Sequence, residues 1–161
     1  MRLDQAEWVN TMRLSKSKIS DVQFGENVSV IEPVNLYGCE LDSDVFVGPF
    51  VEIQSEVKVG ARTKIQSHTF ICSLVEIGSD CFIGHGVMFV NDKFSRGGPA
   101  MGDKTQWLST KIGNRVSIGS NATILPIEIC DEVVIGAGAV VTKNIDMPGK
   151  YAGNPAVRVS S

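Results

Sequence analysis

Histidine is scarce in this chain: His68 and His85 are the two present, too few for a zinc centre held by three imidazoles. The four cysteines, Cys39, Cys72, Cys81 and Cys130, show no CxxC spacing, which argues against a metal site and against a disulfide framework. They read as small, buried, reduced side chains. Charge of one sign is also missing. Fifteen basic residues stand against 18 acidic ones, a formal net charge of −3, and no long like-charge block offers a general grip on nucleic acid or an anionic membrane. A continuous apolar stretch is absent from the N-terminus, where Asp4 and Glu7 occur early; this excludes a secretory signal or membrane anchor and leads us to expect a cytoplasmic protein. What remains is 161 residues with 43% hydrophobic content, enough for one domain with its own core.

The chain is organised by a repeat. Aliphatic or aromatic residues recur six apart at Leu41, Val47, Ile53, Val59, Ile65, Ile71, Ile77, Ile83 and Phe89. The register runs back to Phe24, Val30 and Leu36, and resumes at Ile112, Ile118, Ile124, Ile129, Ile135 and Val141. Two residues before many of these lies a second small or branched residue, such as Val45, Val57, Thr63, Thr69 and Val87. A period of six fits neither a 3.6-residue helix nor ordinary hairpins; it fits short strands wound around a triangular prism, three to a coil. The hexads predict about six coils spanning 24–142, an N-terminal tail or cap over 1–23, one extruded loop over about 93–111 and a C-terminal tail over 143–161. The departures from period six, Leu36 to Leu41, Ile124 to Ile129 and Phe89 to Ile112, all fall at one corner when faces are counted in threes. Gly and other small residues punctuate corners where the chain must turn sharply. Truncating an inward residue such as Ile77 to Ala is expected to cost about 2–5 kcal/mol. In the tail, Leu3, Trp8, Val9, Met12 and Leu14 form a weak helical stripe expected to cover the first coil or line part of a ligand site.

The hexads, the interruption at 93–111, the run Ile135-Gly136-Ala137-Gly138-Ala139-Val140-Val141-Thr142-Lys143 and the later Gly153-Asn154-Pro155-Ala156 together resemble the hexapeptide-repeat acetyltransferase superfamily. That resemblance implies a left-handed parallel β-helix, a winding opposite to the usual crossover preference. It also implies a homotrimer with acetyl-CoA and acceptor held between subunits. Within the superfamily, Gly84-His85-Gly86-Val87-Met88-Phe89-Val90-Asn91-Asp92 and Ile124-Leu125-Pro126-Ile127-Glu128-Ile129 resemble enzymes that acetylate the 3-amino group of nucleotide-linked amino-deoxy sugars destined for bacterial surface polysaccharides.

The chemistry narrows the candidates. An amine attacks a thioester only when unprotonated but needs less basic help than a hydroxyl. The resemblance implies that Asn91 holds the amine. His85 follows as proton acceptor or sugar ligand, and Asp92 as the group that orients either. Face counting places His68 and His85 near each other and lets His85, Asn91 and Asp92 gather at one edge. The superfamily's CoA segment corresponds to Ala137 and Gly138 along the pantetheine arm, with Thr142, Lys143, Asn154, Pro155 and Arg158 toward the adenosine phosphate end. Lys93, Arg96, Trp107 and His68 are candidates for the acceptor, and no metal is expected. Structural roles stand beside these: His85 and His68 as corner residues, Asn91 as a cap before the loop, and Phe94 and Trp107 as pins against a neighbouring subunit. The rival functions are an O-acetyltransferase with His85 or His68 as general base, a zinc hydratase that two histidines do not support, and a scaffolding β-helix without catalysis.

Overall fold

The computed structural model describes residue 16 and residues 18–159, so the N-terminal stripe lies outside the described residues. Strands of two to four residues form three sheets, one per face of a prism. Face 1 stacks Ile19–Ser20, Asn35–Tyr37, Glu52–Ile53, Phe70–Ile71, Met88–Phe89, Thr123–Ile124 and Val140–Val141. Face 2 runs from Gln23–Phe24 to Glu128–Ile129 and gains a parallel bridge to Ile145. Face 3 runs from Ser29–Val30 to Gly149–Ala152, then closes with the antiparallel strand Val157–Arg158. Every other pairing is parallel and joins a strand to the one a full coil away, as in Phe82↔Lys64 and Ile83↔Ile65. This is a parallel β-helix, in agreement with the left-handed form that the resemblance implies.

Among the described residues seven coils stack, one more than the hexads give. Ile19, five residues before Phe24, opens the first coil by pairing with Leu36, and Ile145 and Tyr151 carry the seventh beyond the last hexad. The long excursion and the shortened steps all lie between faces 1 and 2, at the corner predicted. The inward residues Leu36, Ile53, Ile65, Ile71, Ile83, Ile118 and Ile124 are completely buried. Each coil therefore shields its core only by stacking on its neighbours.

The glycines serve these corners differently from the expectation. Gly84, directly after an inward Ile, lies where a Cβ would come within 2.7 Å of Ile118 O and Ser120 N, so Gly there permits close coil stacking. The left-handed turn falls two residues later and is mostly carried by other residue types, including Asp44, Phe50, Arg62, His68, Asp80, Arg115 and Asn121.

Face 2 and the corner after it are banded by charge. Glu40 and Asp44 occupy the second coil, Lys58 and Arg62 the third, Glu76 and Asp80 the fourth, Lys111 and Arg115 the fifth, and Glu128 and Glu132 the sixth. Adjacent bands pair: Lys58 Nζ lies 3.5 Å from Glu40, Arg62 donates to both Asp80 oxygens at 2.7 and 2.8 Å, and Arg115 donates to Glu132 at 3.0 Å. Outward positions on faces 1 and 3 are more apolar, with Phe46, Phe70, Phe82, Met88 and Val134 standing among Glu52, Lys64 and Lys150.

Candidate active site

His85 stands at the corner between faces 3 and 1, after Phe82–Ile83 and before Met88–Phe89. Gly86 there takes the left-handed turn at φ 65°, leaving His85 exposed. Its Nδ1 lies 2.9 Å from the hydroxyl of Ser67, one coil below. The next corner residue down, His68, stacks on Phe50 with ring centroids 4.8 Å apart and planes at 29°. The two histidines thus lie on one edge but in different contacts, His85 with Ser67 and His68 with Phe50. Above them the same edge continues through Ser120-Asn121 to Ala137-Gly138, linked by Asn121 N–H to His85 O and Gly138 N–H to Ser120 O. A Cβ added at Gly138 would meet nothing within 4 Å among the described residues. Asn154 and Pro155 occupy the turn that leads from Gly149–Ala152 into the antiparallel strand Val157–Arg158, tied to the seventh coil where Val140 N–H donates to Gly153 O.

Asn91 and Asp92 lie at the following corner, between faces 1 and 2. This corrects their expected clustering with His85: residues six apart in this fold occupy successive corners, separated by a strand of face 1. Asn91 Nδ2 donates to Ser73 O at 3.3 Å and its carbonyl accepts from Leu108 N–H at 2.8 Å, so it ties the start of the loop to its end. Asp92 accepts from Phe94 N–H at 2.8 Å and Ala100 N–H at 2.7 Å, committing both carboxylate oxygens to the loop's first turns. Thr142 and Lys143 lie at this corner too, in the seventh coil, following Val140–Val141. The candidate residues therefore divide between two edges that flank face 1.

The loop is organised by its own charges. Asp103 accepts from Thr105 N–H at 3.1 Å, Thr105 Oγ1 at 2.6 Å and Gln106 Nε2 at 2.8 Å. These bonds, led by the Thr105 hydroxyl, hold its carboxyl below the ordinary carboxylate range. Arg96 lies 3.9 Å from Asp103. Lys104 sits 5.9 Å above the Trp107 ring and 3.6 Å from Glu56, which pins the loop to a lower coil. Lys93 is exposed. Arg158 donates to Pro148 O at 3.1 Å.

Burial pushes the Cys39 thiol up to about 11 and the Cys72 thiol to about 12, which leaves them inert at neutral pH. Among the described residues no group of three or more His, Cys, Asp or Glu side chains is placed to hold a metal ion. No described helix is long and apolar enough to cross a membrane. A groove of about 740 Å³ runs along face 2, lined by the charged bands, and touches none of the candidate residues. Ser67 and Phe50 escaped the sequence reading, although each lies 18 residues, one full coil, before a histidine.

Comparison with known proteins agrees with this architecture. Residues 109–143 match the family described as the hexapeptide repeat of succinyl-transferase. The bifunctional protein GlmU of Streptococcus uberis is 33% identical over 136 residues, which cover 83% of this chain. The chain spans 27% of that relative. Among solved structures, a mutant of AntD, an N-acyltransferase from Bacillus cereus in complex with dTDP and coenzyme A, superposes with a TM-score of 0.76 at 19% identity, covering 86% of this chain and 83% of that one. A mutant perosamine N-acetyltransferase from Caulobacter crescentus, in complex with CoA and GDP-perosamine, gives 0.62 at 18% identity, covering 90% of this chain and 58% of that one. The chain carries hexapeptide repeats and shares its fold with these proteins.

Proposed function

We propose that this chain, whose repeats and fold are those of hexapeptide-repeat acetyltransferases, transfers the acetyl group of acetyl-CoA to the 3-amino group of a nucleotide-linked amino-deoxy sugar. The observation that carries the reading is the edge between faces 3 and 1, where His85, oriented through Ser67, lies below the open backbone of Ala137 and Gly138. The pantetheine arm follows that backbone and brings the thioester down to the level of His85. The amine nitrogen attacks the thioester carbon, the new C–N bond forms, and the C–S bond breaks as coenzyme A leaves. The amine's surplus proton passes to His85 or to water. A backbone N–H of the edge is suited to the negative oxygen of the tetrahedral intermediate.

The division of candidates between two edges bears on assembly. His85 and Asn91 are separated by six residues of chain, which span about 20 Å at full extension. We infer that a complete site takes the His85 edge from one copy and the Asn91 edge with its loop from the next, in a homotrimer. Thr142 and Lys143 lie on the same edge as Asn91, so in this arrangement both ligands are gripped from both sides. Cytoplasmic acetyl-CoA supplies the reaction, whose product serves surface-polysaccharide assembly.

The second reading, O-acetylation, draws on the Ser67–His85 contact, since a hydroxyl acceptor needs a held base. Thiol release from acetyl-CoA decides between them, measured with 3-amino and 4-amino nucleotide sugars of uridine and thymidine type, their hydroxyl counterparts and simple alcohols. Release with a 3-amino nucleotide sugar alone is expected. Release with a hydroxyl acceptor alone overturns N-acetylation, and silence throughout overturns both readings.

A further inference from the structure

Below His85 the edge carries an aromatic pair for which the acyl-transfer chemistry has no use. Phe50 is 57% exposed and adopts φ 61°, in the left-handed region that bulky side chains rarely occupy. The other face of its ring arrangement is supplied by His68, stacked at 4.8 Å. An exposed ring in such a conformation adds nothing to the core, because its neighbours Val47 and Val51 already point inward. Beside the pair, on face 3, Lys64 points outward between Phe46 and Phe82, and among the described residues it has no ion-pair partner. Strands of successive coils are about 4.8 Å apart, so Phe50, two coils below His85, lies about 10 Å down the edge.

We propose that Phe50 and His68 form the stacking platform for the planar base of a nucleotide-linked acceptor, with Lys64 placed for the diphosphate. The assignment rests on the reading of the acceptor as a nucleotide sugar, and it gives the edge a direction: coenzyme A occupies the upper coils and the nucleotide the lower ones. A base has two π-faces and stacks on aromatic side chains without needing specific hydrogen bonds. The ammonium of Lys64 serves as a point charge for phosphate.

The test uses the full chain and two kinds of probe. Binding of UDP and dTDP is measured by calorimetry on the wild type, Phe50→Ala and Phe50→Trp, with the oligomeric state of each followed by light scattering. The expected result is at least tenfold weaker binding of the favoured nucleotide by Phe50→Ala, retention by Phe50→Trp and an unchanged assembly. Turnover gives a second readout: kcat/KM for the nucleotide-linked amino sugar falls at least tenfold in Phe50→Ala, whereas the fall for the corresponding amino sugar 1-phosphate, which lacks the base, stays under twofold. Equal nucleotide binding by wild type and Phe50→Ala overturns the platform while leaving the acetyltransferase reading intact. Loss of the assembly in Phe50→Ala also overturns it, by assigning Phe50 to a subunit contact. Failure of the wild type to bind either nucleotide overturns the platform together with the nucleotide-sugar acceptor, and acetyl transfer to another acceptor then remains measurable on its own.

Discussion

The hydroxyl of Ser67 and Nδ1 of His85 meet at 2.9 Å across one coil of the helix. The direction of that bond decides what His85 is able to do. If Nδ1–H donates to the hydroxyl oxygen, Nε2 keeps its lone pair and accepts a proton; if the hydroxyl donates to Nδ1, Nε2–H is a donor only. Ser67 is thus a positioning residue for the proposed transfer. Ser67→Ala is expected to lower kcat about tenfold with KM for acetyl-CoA unchanged, and Ser67→Thr, which keeps the hydroxyl, to recover most of the loss. Steady-state kinetics check this, and a Ser67→Ala enzyme with wild-type kcat sinks the role.

Asn91 allows a separate test. Its side-chain bond to Ser73 O is long and part-buried, so the fold has little to lose when it is removed. Asn91→Ala should leave coenzyme A binding and the assembly intact while turnover falls at least tenfold, in keeping with a group that positions the amine. Turnover at the wild-type rate means that Asn91 only closes the loop.

Thr110 offers a stability test free of any assumption about function. It occupies an inward position of face 2, beside Val75, and is 1% exposed with no partner for Oγ1 among the described residues. The buried threonines at Thr63 and Thr69 instead donate to Gly78 O and Gly84 O at 2.8 and 2.9 Å. An unmet buried hydroxyl costs about 1–3 kcal/mol, so Thr110→Val, which keeps the shape, should raise the denaturation midpoint. The same change at Thr69 should lower it.

Acid sensitivity should follow the corner carboxylates. Hydrogen bonds from Arg62 hold Asp80 below its ordinary value of 3.8, and the backbone N–H of Asn114 does the same for Asp131. A depressed carboxylate stabilises the fold fully above its unfolded value, and that contribution disappears as pH falls through the folded one. Asp80→Asn should therefore flatten the decline of stability with pH below about 4 and leave the curve near neutrality parallel to the wild type. Asp80 and Asp131 keep 42% and 48% of their side-chain surface in solvent, so the change is small; urea midpoints across that pH range reveal it.

The repeat was legible because every inward side chain obeys one spacing, and the corner that absorbs the irregular steps could be found from Leu36, Leu41, Ile124 and Ile129 alone. The seventh coil was not, since Ile19 enters at a spacing of five and Ile145 and Tyr151 follow no hexad. Contacts between coils hide at separations of 17 or 18 residues, as for Ser67 with His85 at the site and Asn27 with Asp44 elsewhere. Closeness in sequence misled at His85 and Asn91, because six residues carry the chain from one corner to the next. The bond from Ala100 N–H to Asp92 depends on the path of an irregular loop, which no period encodes.

The charged bands of face 2 distinguish a neighbour standing at the same height from one shifted by a coil. Two copies side by side in the same orientation bring like signs level at every coil from the second to the sixth, and repel there. Offset by one coil, in either orientation, they would bring opposite signs level. A rotationally symmetric assembly, in which all copies share one orientation and one height, is therefore steered away from face 2 and onto the more apolar surface around Phe46, Phe70, Phe82 and Met88, the side that carries His85.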